Sequence, residues 1–172
     1  MRTPSHALLT RALSRLAGQD HTSAAVLGSV FPDAPVALGA AWLLARRASP
    51  FGREEFEAAV CSRTVFRGPD AALHSALPVG AALAALGAFG LSRGSAGAPL
   101  AFVLGWAGHV LVDALTHAGD ARPVLWPLSN RRFRSPVSYW ERGRHARLIS
   151  ILDYALLVQG ASELLRRGSG RV

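Results

Sequence analysis

The stretch GHVLVDALTHAGD, residues 108–120, sets two histidines and two aspartates into an otherwise oily run. An α-helix advances about 100° per residue, so with His109 at zero, Asp113 falls near 40°, His117 near 80° and Asp120 near 20°. Thr116 falls near −20°, and these polar groups share one narrow face. Imidazole and carboxylate are ligands that zinc, manganese and iron accept, and a spacing of four lets two side chains of one helix grip one ion. A spacing of eight separates Cα atoms by about 12 Å, so His109 and His117 strain to share a metal. Either a second ion binds, or His109 stands behind Asp113 and orients it. Two ions around bridging carboxylates fit hydrolysis, one activating water and both stabilising the charged intermediate. A lone histidine on an apolar helix is ordinarily a packed core residue. Several metal-compatible side chains on one arc point instead to a site.

The elements that must position these groups read as helices. PSHALLTRALSRLAG, residues 4–18, is a short amphipathic helix, with Ser5 as its cap, leucines on one side, Arg11 and Arg15 on the other, and Gly18 at its end. AAVLGSVFPDAPVALGAAWLLARR is apolar but carries Pro32 and Pro35, which predicts two helical pieces with Asp33 at the joint. Residues 46–73 read as a polar connection, 76–92 and 99–115 as apolar runs, and about 146–167 as a last helix. No strand alternation is present. The expected class is all-α, a helical bundle with a short amphipathic N-terminal helix, forming one domain over residues 1–172. Antiparallel neighbours bring His74, just before the 76–92 run, beside His117 at the end of the next. His145 returns to that end before the last helix, so His74, Asp113, His117, Asp120 and His145 can converge. This argument does not place His6 or Asp33.

Composition bounds the setting. Half of the 172 residues are hydrophobic and 17% are charged, against about 25% in ordinary soluble chains, which predicts a membrane-embedded or membrane-associated protein. The two apolar runs approach the roughly 20 residues of a bilayer span, and their small residues favour close packing in lipid. Segments 46–73 and 120–147 are rich in Arg while the 92–98 loop carries one. If the two runs cross the membrane, the Arg-rich segments share a side, which the positive-inside rule makes cytoplasmic. The net charge of +8 suits anionic lipid. No zinc-finger spacing or RNP-type motif accompanies it, so no specific nucleic-acid partner is expected. Cys61 is the lone cysteine and forms no internal disulfide. The N-terminus lacks the apolar core of a signal peptide. Arg131, Arg132 and Arg134 in NRRFRSP are candidates for gripping a substrate phosphate. Tyr139 and Trp140 suit an interface belt or a core lid.

The collinear order of His6, GSVFPD, HS at 74–75, GHVLVDALTHAGD and PVLWPLSNRRFRSPVSYW, over residues 4–160, resembles the bacterial membrane-bound, metal-dependent hydrolases, a family distantly similar to zinc-dependent phospholipase C. The resemblance implies that His6, Asp33, His74, His109, Asp113 and His117 bind metal, with Asp120 and His145 as further polar positions. Two family positions are replaced: PDAPVA keeps Asp33 alone, and FRGPDAALHS carries Phe66 where a histidine is usual. A reduced site, or one completed by Asp120 and His145, is therefore expected. The implied activity is hydrolysis of an ester or phosphoester of an amphiphilic or lipid substrate. One or two divalent transition ions, zinc foremost, would activate water, with Asp33 or Asp120 taking its proton. The alternative is a non-catalytic membrane protein whose polar stripe ties helices together or holds a structural metal. The expected location is the bacterial inner membrane, with membrane lipid as partner.

Overall fold

The computed structural model describes residues 1–46, 51–90, 97–139 and 141–169. Trp140 and most of the 92–98 loop lie outside them. Among the described residues the chain is helical, with one isolated bridge, Pro123 to Arg132, and no strand. The elements are α1 (Thr3–Leu16), α2 (Thr22–Val30), a 3₁₀ turn (Phe31–Asp33), α3 (Ala34–Arg46), α4 (Arg53–Phe56) running into a π turn (Glu57–Cys61), α5 (Thr64–Leu73), α6 (Ala76–Ala85) running into a π turn (Leu86–Gly90), α7 (Gly97–Thr116) and α8 (Ala146–Ser169). The all-α expectation holds.

Three local expectations are corrected. Ser5 does not cap α1: the helix starts earlier, with Arg2 at the cap position and Pro4 in its first turn, and Ser5 is buried against α8 with its hydroxyl 3.5 Å from the Asp153 carbonyl. Gly18 does end that helix, at φ 63°, with Gly18 and Gln19 amides returned to the Arg15 and Ser14 carbonyls. The polar connection 46–73 is not a loop, because it contains α4 and the amphipathic α5. The Pro32–Pro35 segment bends the chain less than expected. Both prolines fall at helix starts, where the missing N–H costs nothing, so α2, the 3₁₀ turn and α3 form one 25-residue run, Thr22–Arg46, long and apolar enough to span a bilayer.

The second such helix is Gly97–Thr116. The run at 76–92, expected to span alone, reaches span length only together with α5, as a pair bent by 55° at His74–Ser75. Ser75 makes that bend: its hydroxyl accepts from the Leu77 amide and lies 3.0 and 2.8 Å from the Val124 and Trp126 carbonyls. A third of each span is buried within the protein. Leu27, Leu38, Leu104, Leu111 and Leu115 point outward, as lipid-facing side chains do.

Packing divides the molecule into two tiers. In one, α2 runs parallel to α7, with His21 beside Gly97 and Ser29 beside His109. In the same tier α6 runs antiparallel to α7 around Val79, Val103, Trp106 and Val110, and α1 lies between α2 and α8. In the other, α3 packs on α5 and on the π turn after α4. The helices break where the tiers meet, at Phe31–Asp33 and at His74–Ser75. Each break leaves helix C-terminal carbonyls without an intrahelical partner. Those of Ser29, Asp70 and Leu73 are taken by His109, His74 and Trp106 respectively.

Candidate metal centre

Asp113 sits at the middle of the cluster. Its Oδ1 lies 3.0 Å from His6 Nε2 and 3.1 Å from His117 Nε2; its Oδ2 lies 3.4 Å from His109 Nε2 and 3.5 Å from His74 Nε2. The one-face geometry of α7 explains this, since residues four before and four after Asp113 flank opposite oxygens of one carboxylate. The strain between His109 and His117 is thus resolved by sharing Asp113 rather than an atom. His6 comes from α1 and stacks on His109, ring centroids 3.9 Å apart. Asp33, at the end of the 3₁₀ turn, puts Oδ1 3.5 Å from His74 and 3.7 Å from His109, while its Oδ2 accepts from Thr3 Oγ1. The amino group of Met1 also lies 3.3 Å from Asp113 Oδ1 and 3.2 Å from His117 Nε2.

The remote nitrogen of each key histidine fixes its role. His74 Nδ1 donates to the Asp70 carbonyl at 2.8 Å and His109 Nδ1 to the Ser29 carbonyl at 2.7 Å. A carbonyl only accepts, so both protons sit on Nδ1 and both Nε2 atoms carry lone pairs. Yet those Nε2 atoms face each other at 3.2 Å. Two lone pairs at that distance repel unless a cation lies between them. Ligand atoms of a tetrahedral ion with bonds of about 2.0–2.2 Å lie roughly 3.3–3.6 Å apart. The separations among His74, His109, Asp33 Oδ1 and Asp113 Oδ2 are 3.2, 3.4, 3.5, 3.5 and 3.7 Å. This donor set fits a zinc-sized ion. The Asp113 Oδ1 side, with His6 and His117, offers a second nitrogen–oxygen group on the same carboxylate.

His117 lies just past the end of α7 and hydrogen-bonds Asp120 Oδ2 through Nδ1 at 2.9 Å. Burial works against its charged form, but Asp113 and Asp120 outweigh that and raise its pKa. Asp120 would be pushed up by burial; the His117 hydrogen bond and charge hold it below the usual carboxylate range instead. Burial lowers the His6 imidazole despite its bond to Asp113, leaving it neutral, as a ligand must be.

Of the residues expected at the site, the structure brings together His6, Asp33, His74, His109, Asp113 and His117, with Asp120 behind His117. It does not bring in His145, which is exposed at the start of α8 in a left-handed conformation, φ 58°, its carbonyl serving the first turn of that helix. Chain return alone did not fix where its side chain went. Nor does it bring in Arg131, Arg132 or Arg134, all exposed on the 120–147 segment. Four contributors were not singled out from sequence. Asp70 and Ser29 act through backbone carbonyls, which no residue type signals. Arg122 pairs with Asp70, and Asp153, fully buried on α8, pairs with Arg2 beside His6. An aspartate four residues after Ile149 in an apolar helix is a visible signal, but it names no partner.

Fold and site together define an all-helical membrane protein with a buried histidine–aspartate centre. Residues 1–167 match the model of the YdjM inner membrane protein family. The chain belongs to that family. No curated protein and no solved structure matches it. The family match supports a membrane protein, while hydrolysis and the likeness to phospholipase C rest on the sequence resemblance.

Proposed function

We propose that this chain is a metal-dependent hydrolase of the inner membrane, acting on an ester or phosphoester of an amphiphilic substrate. The observation that carries the reading is the facing pair of unprotonated Nε2 atoms on His74 and His109, enclosed by Asp33 and Asp113. His74, His109, Asp33 and Asp113 would hold a divalent transition ion, zinc by donor chemistry, and Asp113 with His6 and His117 would hold a second. Such an ion supplies acidified water and polarises the scissile bond. The chain's own residues do the rest. Ser29 and Asp70 fix the imidazole tautomers. Asp120 is a positioning residue for His117, since its Oδ2 is committed to Nδ1. Asp33 is the carboxylate that touches the ligand set and can take a proton. The Arg-rich segments leave the site's end of α7, which by the positive-inside rule favours the cytoplasmic side.

The test is elemental analysis of the detergent-purified protein, followed by a screen of phosphoesters and carboxylic esters with the metal-loaded form. Stoichiometric transition metal with turnover supports the reading. A well-folded wild type without metal overturns it, and metal whose removal unfolds the chain without any turnover assigns a structural centre instead.

Asp120→Asn keeps an acceptor for His117 but removes the charge. We expect metal affinity about 10–100-fold weaker, with helix content unchanged, measured by competition with a chelating dye. The pH dependence follows from the raised pKa of His117. Metal must displace that proton, so affinity for the His117 side falls as pH drops through the raised value, and Asp120→Asn shifts the fall to lower pH.

A further inference from the structure

Arg122 was not among the arginines expected to meet substrate, yet it is the one that reaches the site. A narrow cavity beside the centre is lined by His74, Asp113, His117 and Arg122, with Val110 and Val124 as apolar walls. The guanidinium is held on two sides. Nε donates to Asp70 Oδ2 at 3.0 Å and Nη1 to the Asp120 carbonyl at 3.1 Å. Nη2 makes no hydrogen bond among the described residues, and 29% of the side chain remains exposed. Asp70 is in turn on α5, one turn before His74, so the arginine is fixed relative to a ligand histidine.

The charge around this cavity is otherwise unsuited to an anion. Asp33, Asp70, Asp113 and Asp120 crowd the centre, and an approaching anionic group needs a fixed cation besides any metal. A guanidinium with two donors already committed is pre-organised, and its remaining edge suits a tetrahedral oxyanion.

We propose that Arg122 is the anion-binding residue of this site and receives a non-bridging oxygen of a phosphoryl group, so that the ligand class is phosphoester rather than carboxylic ester. This rests on the hydrolase reading above.

The test uses the zinc-loaded protein in detergent micelles, with inorganic phosphate and dihexanoyl phosphatidate as probes, binding read by calorimetry and metal content read separately. Arg122→Gln is the first variant. Asp70→Asn/Arg122→Gln is the second, because it removes the pair without stranding a buried carboxylate. Phosphate and phosphatidate binding about ten- to a hundredfold weaker in both variants, with metal content unchanged, is the expected result. Tighter binding of phosphatidate than of phosphate by wild type identifies a lipid headgroup as the source, and equal binding a soluble phosphoester. Variants that bind both probes as wild type does overturn the inference and leave the hydrolase reading standing. So does a metal-loaded wild type that binds neither probe. If both variants lose their metal, Arg122 is a prop for the Asp120 loop and the inference is wrong. A wild type that takes up no metal removes the hydrolase reading and this inference with it.

Discussion

Asp113→Asn is expected to abolish metal binding. Its two oxygens touch four imidazoles brought by α1, α7, the α5–α6 break and the residue after α7. No other side chain reaches both halves of the cluster among the described residues. An amide keeps the shape but loses the charge, and its NH₂ group can only donate toward nitrogens that need an acceptor or a cation. Wild-type protein should melt higher with saturating zinc than after chelation, because a ligand that binds only the folded state adds about 2.7 kcal/mol at a hundred times its dissociation constant. Asp113→Asn should show no such difference, and its metal content should fall to background. The metal-free variant should itself be less stable than metal-free wild type, since His117 keeps one carboxylate partner in place of two. Full metal content in this variant would show that the carboxylate is not shared, and the two-sided centre would have to be abandoned.

Much of that centre was visible in the order of residues, and the reason is geometric. Spacings of four on one helix fix direction regardless of what the helix packs against, so His109, Asp113 and His117 could be placed on one arc from sequence. The family resemblance supplied His6 and Asp33, which periodicity could not. What sequence could not supply was the level of the site. Reading His74 as the outer end of a hairpin put the cluster at the end of the bundle. In the structure His74 lies at a bend between two helices that together reach span length, and Asp33 lies inside a 25-residue run. The break at Ser75 depends on the carbonyls of Val124 and Trp126, about fifty residues away in the chain. Pro32 and Pro35 likewise signalled a joint but not its angle, because a proline in the first turn of a helix leaves the axis nearly free to continue. His145 failed for a related reason. Chain return brought its backbone near the right end, and a left-handed turn at the start of α8 left it exposed.

The centre also depends on how closely two backbones approach, which leads to the largest expected loss of stability. A Cβ added at Gly105 would lie 1.9 Å from the Ala25 carbonyl oxygen, and one added at Gly28 would lie 1.9 Å from that of Phe102. Carbon–oxygen contacts between helices settle at about 3.3–3.6 Å, so α2 and α7 would have to part by roughly 1.5 Å. Backbone cannot swing aside as a side chain does. His109 is one turn beyond Gly105 and holds the Ser29 carbonyl at 2.7 Å. Parting the helices breaks that bond, frees the ring and spoils the facing arrangement with His74. Gly105→Leu and Gly28→Leu should each cost about 4 kcal/mol or more, lowering the melting temperature by roughly 8–16 °C, and both should release bound metal. Gly80→Leu on α6 is the control, because nothing lies within 4 Å of its added Cβ; it should melt at or slightly above wild type and keep its metal. If Gly105→Leu melted like Gly80→Leu, α2 and α7 would not be in backbone contact, and His109 would have to be oriented by something other than Ser29.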